Sequence, residues 1–93
     1  MADARKLARI FKALSAEPRV KIIQLLKGQT LCVNALAGRL GITPAAVSQH
    51  LRVLRDAGLV TPEKRGYYVH YALSAEALAD WRRLAGGLLT EAE

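Results

Sequence analysis

Residues 42–60 read ITPAAVSQHLRVLRDAGLV, and the fold turns on how this stretch divides. Thr43 carries a side-chain oxygen suited to starting a helix, and Pro44 fits the first helical position, where no N–H is needed. Gly58 is the expected stop. Between them, at 100° per residue, Val47, Leu51 and Leu54 fall within about 60° of one another and form an inward stripe. The opposite arc holds Ala45, Gln49, Arg52 and Asp56, with Ser48 and Arg55 on one flank and Val53 near the edge. The spacing therefore predicts one helix with a buried face and a polar face.

Working outward, residues 32–40 place Leu36, Ala37 and Leu40 inward and stop at Gly41, a residue suited to a left-handed turn. A helix of about eight residues, a turn of about three and a helix of about fourteen make a helix-turn-helix outline. Further back, Ser15 is expected to cap a helix with Pro18 in its first turn. Val20, Ile22, Ile23, Leu25 and Leu26 make that helix apolar over a wide arc, so it should be central in the core, ending at Gly28. Before it, ARKLARIFKAL (residues 4–14) puts Leu7, Ile10, Phe11 and Leu14 on one face.

Beyond Gly58 the period changes. LVTPEKRGYYVHYALS (residues 59–74) is rich in β-branched and aromatic residues around Lys64-Arg65-Gly66, which predicts a β-hairpin with a cationic tip. Alternation puts Tyr67, Val69, Tyr71 and Leu73 on one face and Tyr68 and His70 on the other. Ser74 then caps a last helix over 75–90, with Leu78, Trp81, Leu84 and Leu88 in a narrow stripe. The order predicts a mainly α chain with a β-hairpin, a single winged helix-turn-helix domain over residues 1–93.

Composition narrows the function. The chain has 93 residues, a formal net charge of +6 and a sequence pI near 10.0. A small, strongly basic domain favours a polyanionic partner, nucleic acid first. The excess is uneven: residues 1–27 hold seven Lys/Arg against two acids, whereas residues 72–93 hold two against four. No apolar run approaches the ~18 residues needed to span a bilayer, and no charged-then-apolar leader opens the chain. A soluble cytoplasmic protein is expected, of radius ~12–13 Å if monomeric.

The exposed arc of the 43–57 helix suits the major groove. Gln49 can read adenine, Arg52 and Arg55 can read guanine or hold phosphate, and Ser48 can do either weakly. The helix start beside Thr43 and Ala45 offers unpaired N–H groups to phosphate. Lys64 and Arg65 would reach the backbone or a minor groove, and Tyr68 would stack or donate near the sugar-phosphate chain. Catalysis is not expected. Ser48 and His50 stand two apart on one helix and diverge by about 160°, so they cannot form a nucleophile–base pair. No glycine-rich phosphate loop is present, and the acids include no close inward pair.

Three stretches, IFKALSAEPRVKIIQLL, LAGRLGITPAAVSQHLRVLRDAGLV and GYYVHYALS, resemble in order and spacing the ArsR/SmtB family of bacterial winged-helix repressors over nearly the whole chain. That resemblance implies a homodimer whose interface is built from the first and last helices, here Leu7, Ile10, Phe11, Leu78, Trp81, Leu84 and Leu88. It implies repression on a palindromic double-stranded DNA operator, bound through the helix from Thr43 to Ala57 and the hairpin, with half-sites ~34 Å apart or a small multiple of that. His50 matches a histidine common in the family, placed either to pack against the turn or to touch DNA.

Many members of the family lose DNA affinity when a metal or metalloid binds. One such site lies where this chain has Leu31-Cys32-Val33-Asn34 and uses two cysteines one residue apart; here the second is Asn34, a poor ligand for a soft ion. Another uses an Asp-x-His pair on the last helix, where this chain has Asp80-Trp81-Arg82. No metal and no cofactor is therefore expected, and any small effector is undetermined. Arg82 or Arg83 of one copy is expected to pair with Asp80 of the other. Cys32 keeps three readings: a small core side chain, which its apolar neighbours favour, a thiol sensor, or a soft-metal or metalloid ligand releasing DNA. A protein-interaction winged helix binding an acidic partner is the alternative from another class.

Overall fold

The structure, a computed structural model, describes residues 2–90. The chain runs α1 (Ala2–Ala13), α2 (Glu17–Leu25), β1 (Leu31–Cys32), α3 (Val33–Leu40), α4 (Pro44–Asp56), β2 (Val60–Arg65), β3 (Tyr68–Leu73) and α5 (Ala75–Leu89). This is a winged helix-turn-helix. Its radius of gyration is 14.2 Å and its extents are 50 × 23 × 20 Å, longer than a compact sphere of this size. The reason is topological: α1 packs mainly on α5, while α2, α3 and α4 pack on one another.

Local chemistry sets the helix-turn-helix. Gly41 adopts φ +68° and closes α3, its N–H bonding Ala37 O at 2.9 Å. Thr43 Oγ1 accepts from Ala46 N at 3.1 Å, and Pro44 opens α4 behind it. At the far end Gly58 adopts φ +78°, which lets Leu59 N bond Leu54 O at 2.9 Å and turns the chain into the hairpin. Val47, Leu51 and Leu54 are buried against Leu36, Ala37, Ile22 and Leu26, one continuous core that Leu59 and Val60 extend to the base of the hairpin. Ser74 Oγ accepts from Ala77 N at 3.1 Å and starts α5.

Four expectations need correction. Ser15 does not cap α2: the N-cap is Ala16, without a side-chain bond, because Ser15 Oγ turns back to donate to Lys12 O at 2.7 Å. Secondly, the hairpin is joined by a third strand. Leu31 and Cys32 pair antiparallel with Tyr71 and His70, giving the sheet order β1-β3-β2. Thirdly, the turn lies one residue later than the charge cluster suggests. Arg65 pairs with Tyr68, leaving Gly66 (φ +64°) and Tyr67 as a two-residue turn in the manner of type II′. Tyr67 is therefore fully exposed in the turn, and Val69 stays exposed while Tyr71 and Leu73 pack on the core. Finally, among the helix residues expected inward, Val20 is exposed. Leu7, Ile10 and Leu84, expected at a partner interface, are buried within the single chain.

Candidate nucleic-acid interface

Helix α4 presents one side to the core and the other to solvent. Thr43, Ala45, Ser48, Gln49, Arg52 and Arg55 are all exposed, as the 100° spacing requires once Val47, Leu51 and Leu54 are fixed inward. Ser48, Arg52, Arg55 and Asp56, with Leu51 and Tyr71 of β3, line an open depression between the helix and the sheet. Among the described residues neither Arg52 nor Arg55 enters an ion pair, so both guanidinium groups keep their donors for an outside acceptor. The amide and guanidinium groups expected to read bases thus share one accessible strip.

The hairpin adds a second cationic element. Lys64 and Arg65 are exposed at the end of β2, and Arg65 Nη2 lies 3.1 Å from Glu63 Oε1 on the same strand. Tyr68 is exposed at the start of β3, with Tyr67 beyond it at the turn. Spacing alone carried Tyr67 into the strand, because alternation was run back one residue into the turn. Gly66 was the available signal, since a two-residue turn of this type takes glycine at its first position.

His50 is not on the open strip. It is half-buried, and its Nδ1 lies 3.4 Å from Arg19 Nη1 of α2. Arg19 Nε also donates to Ala13 O at 2.6 Å, so one guanidinium touches the end of α1 and the middle of α4.

Cys32 is half-buried on β1, directly across from His70, whose Nδ1 lies 3.3 Å from Thr30 Oγ1. It is neither a fully buried core atom nor an open thiol. Among the described residues no group of three or more His, Cys, Asp or Glu side chains is placed to hold a metal ion. Asp80 is already engaged inside its own chain, with Lys6 Nζ at 2.8 Å and Arg83 Nη2 at 3.6 Å. The hydrogen bond and charge of Lys6, aided by Arg83, hold the Asp80 carboxyl below its ordinary value.

On the α1–α5 side, Phe11, Leu14, Val20, Leu78, Trp81 and Leu89 line an apolar groove between α1, α2 and α5, with Lys27 and Arg82 also on its lining. Phe11 and Leu88 are 41% and 61% exposed. No helix among the described residues is long and apolar enough to cross a membrane.

Comparison with known proteins agrees with this architecture. The family model for the bacterial regulatory protein, arsR family, matches residues 16–61. The transcriptional repressor SdpR of Bacillus subtilis is 32% identical over 71 residues, covering 76% of this chain and 79% of that protein. The HTH-type transcriptional repressor SmtB of Mycobacterium tuberculosis is 39% identical over 70 residues, covering 75% of this chain but only about half, 52%, of its own length. Among solved structures, the homodimeric winged helix-turn-helix DNA-binding domain of a Mycobacterium bovis protein superposes with a TM-score of 0.78 at 29% identity, over 94% of this chain and 81% of that one. By sequence and by fold, then, the chain belongs to the arsR family of bacterial regulatory proteins, as a DNA-binding winged-helix transcription regulator.

Proposed function

We propose that this chain represses transcription as a homodimer on a palindromic DNA operator, with α4 in the major groove and the β2–β3 hairpin against the adjacent backbone or minor groove. The observation that carries the reading is the strip Ser48, Gln49, Arg52 and Arg55, exposed and without ion pairs, on a helix whose other face is locked in the core. Thr43 and Ala45 bring the helix start to a phosphate, and Lys64, Arg65 and Tyr68 extend the contact along the duplex.

Phe11, Leu78, Trp81 and Leu88 are the residues assigned to the dimer interface, since they remain accessible on α1 and α5. Leu7, Ile10 and Leu84 support it from beneath. The homodimeric Mycobacterium bovis domain supports the same assembly here. A two-fold pair of α4 helices would read half-sites ~34 Å apart.

The test is a salt titration on a duplex selected by the protein from a random-sequence pool. If the dimer covers about 6–10 phosphates, affinity falls roughly 10³–10⁵-fold between about 50 and 200 mM salt. Arg52→Ala then either lowers the salt slope by about 1, marking a phosphate contact, or relaxes preference at one base pair, marking base readout. A protein that selects no sequence and binds duplexes weakly would refute the reading and favour a domain that docks on an acidic protein.

A further inference from the structure

Arg19 stands in the first turn of α2, where the helix's positive end disfavours a cation. Something else must hold it there, and the structure supplies two acceptors. Nε donates to Ala13 O at 2.6 Å, and Nη1 lies 3.4 Å from His50 Nδ1. Ala13 is the last residue of α1, and its carbonyl is among those that no N–H of the same helix reaches. One side chain therefore ties together the end of α1, the start of α2 and the middle of α4.

The contact with His50 has only one chemical arrangement. A guanidinium carries five N–H donors, no acceptor, and keeps its proton in proteins. Nδ1 must then be the acceptor, which puts the ring proton on Nε2. An imidazolium would have no lone pair at Nδ1 and would set a second cation against the first. The ring is left with a neutral Nε2–H as its single donor, and a phosphate oxygen accepts only.

We infer that Arg19 is a positioning residue for DNA binding: it fixes α4 to the α1–α2 corner and holds His50 as the Nε2–H tautomer, ready to donate to a phosphate oxygen. The inference rests on the DNA-binding reading above and adds a residue outside the contact strip. It also gives α1, which packs on α5, a direct polar link to the helix that reads DNA.

Two measurements test it. Long-range proton–nitrogen NMR correlations of the histidine rings report the tautomer in the protein without DNA. Wild type is expected to show His50 protonated at Nε2 alone, and Arg19→Met, which keeps the aliphatic stem but no donor, is expected to show a mixture. A wild-type ring protonated at Nδ1, or a spectrum unchanged in Arg19→Met, overturns the proposal. If Arg19→Met does not fold, the wild-type spectrum alone decides.

The second measurement is a double-mutant cycle on the selected duplex. His50→Ala should weaken binding about tenfold, the loss of one hydrogen bond with a charged partner, and Arg19→Met by less, because a tautomer mixture still leaves part of the rings with their Nε2–H. The double variant should lose little more than His50→Ala alone, with the salt slope unchanged. Additive losses, or a slope reduced by about 1 in Arg19→Met, would mean that Arg19 contacts phosphate itself, and the positioning role would fall. If no duplex is retained at all, the DNA-binding reading fails and takes the positioning role with it. The NMR result would still report the Arg19–His50 link by itself.

Discussion

Thr43 and Ser15 both precede a helix opened by proline, yet only one of them caps it, and the difference is measurable. Thr43 Oγ1 accepts from Ala46 N at 3.1 Å, whereas Ser15 Oγ donates to Lys12 O and leaves the first N–H groups of α2 without it. Replacing an N-cap threonine by alanine costs about 1 kcal/mol, with a range of roughly 0.5–2. For a domain of this size about 1 kcal/mol corresponds to a fall of roughly 4–8 °C in Tm. Thr43→Ala should show that loss, and Thr43→Ser should recover most of it because the accepting oxygen returns.

Ser15→Ala, by contrast, removes an exposed hydroxyl whose bond to the preceding turn has a water-bonded alternative. Its shift should stay within about 0.5 kcal/mol, the range of an ordinary surface change. The assay is thermal and urea unfolding by circular dichroism at one fixed protein concentration, since association would otherwise move the midpoint. An unchanged m-value confirms that only stability moved. Equal losses for Ser15→Ala and Thr43→Ala would refute the assignment of caps, and with it the register of α2.

Further outcomes follow from the packing and the charges. Leu54→Ala, at a fully buried position in the core, should cost about 2–5 kcal/mol in urea unfolding, while Val53→Ala one residue earlier should cost far less. Phe11→Glu and Leu88→Glu should shift sedimentation from dimer toward monomer without lowering helical content, because both side chains are exposed in the single chain. Asp80 has a depressed pKa caused first by Lys6, so its contribution is complete above the ordinary carboxylate value of about 4 and is lost as pH falls through the lower folded value. Wild type should therefore exceed Asp80→Asn in stability at neutral pH and converge with it in acid; a gap that persists at low pH would remove Lys6 and Arg83 as its cause.

What the sequence disclosed was whatever short-range chemistry decides alone. Thr43, Pro44 and Gly58 bound α4, and its face follows from three apolar positions within one stripe. Ser15 misled because a hydroxyl there has two local acceptors or donors within reach, the preceding turn and the following helix, and spacing cannot rank them. Tyr67 misled because it lies in the two-residue turn ahead of β3, so the alternation that groups Val69, Tyr71 and Leu73 does not extend back to it. Leu31 and Cys32 form too short a strand to carry a period of their own, and their pairing with Tyr71 and His70 is a long-range choice. The Arg19–His50 contact spans 31 positions in the chain and has no motif. Leu7, Ile10 and Leu84 illustrate the same limit: a helical stripe records that a face is covered, not which chain covers it.

The bond from Ser74 N to Leu59 O, 2.9 Å, brings both ends of the β2–β3 ribbon to one point on the helical body. Its length is therefore decoupled from the packing beneath, and residues inserted in matched pairs, one per strand, would lengthen it without moving α4 or α5. Each pair would carry the tip some 3.4 Å farther along or away from a duplex. On this plan the ribbon's reach is thus a dimension that can be adjusted by whole residues, independently of the face that α4 exposes.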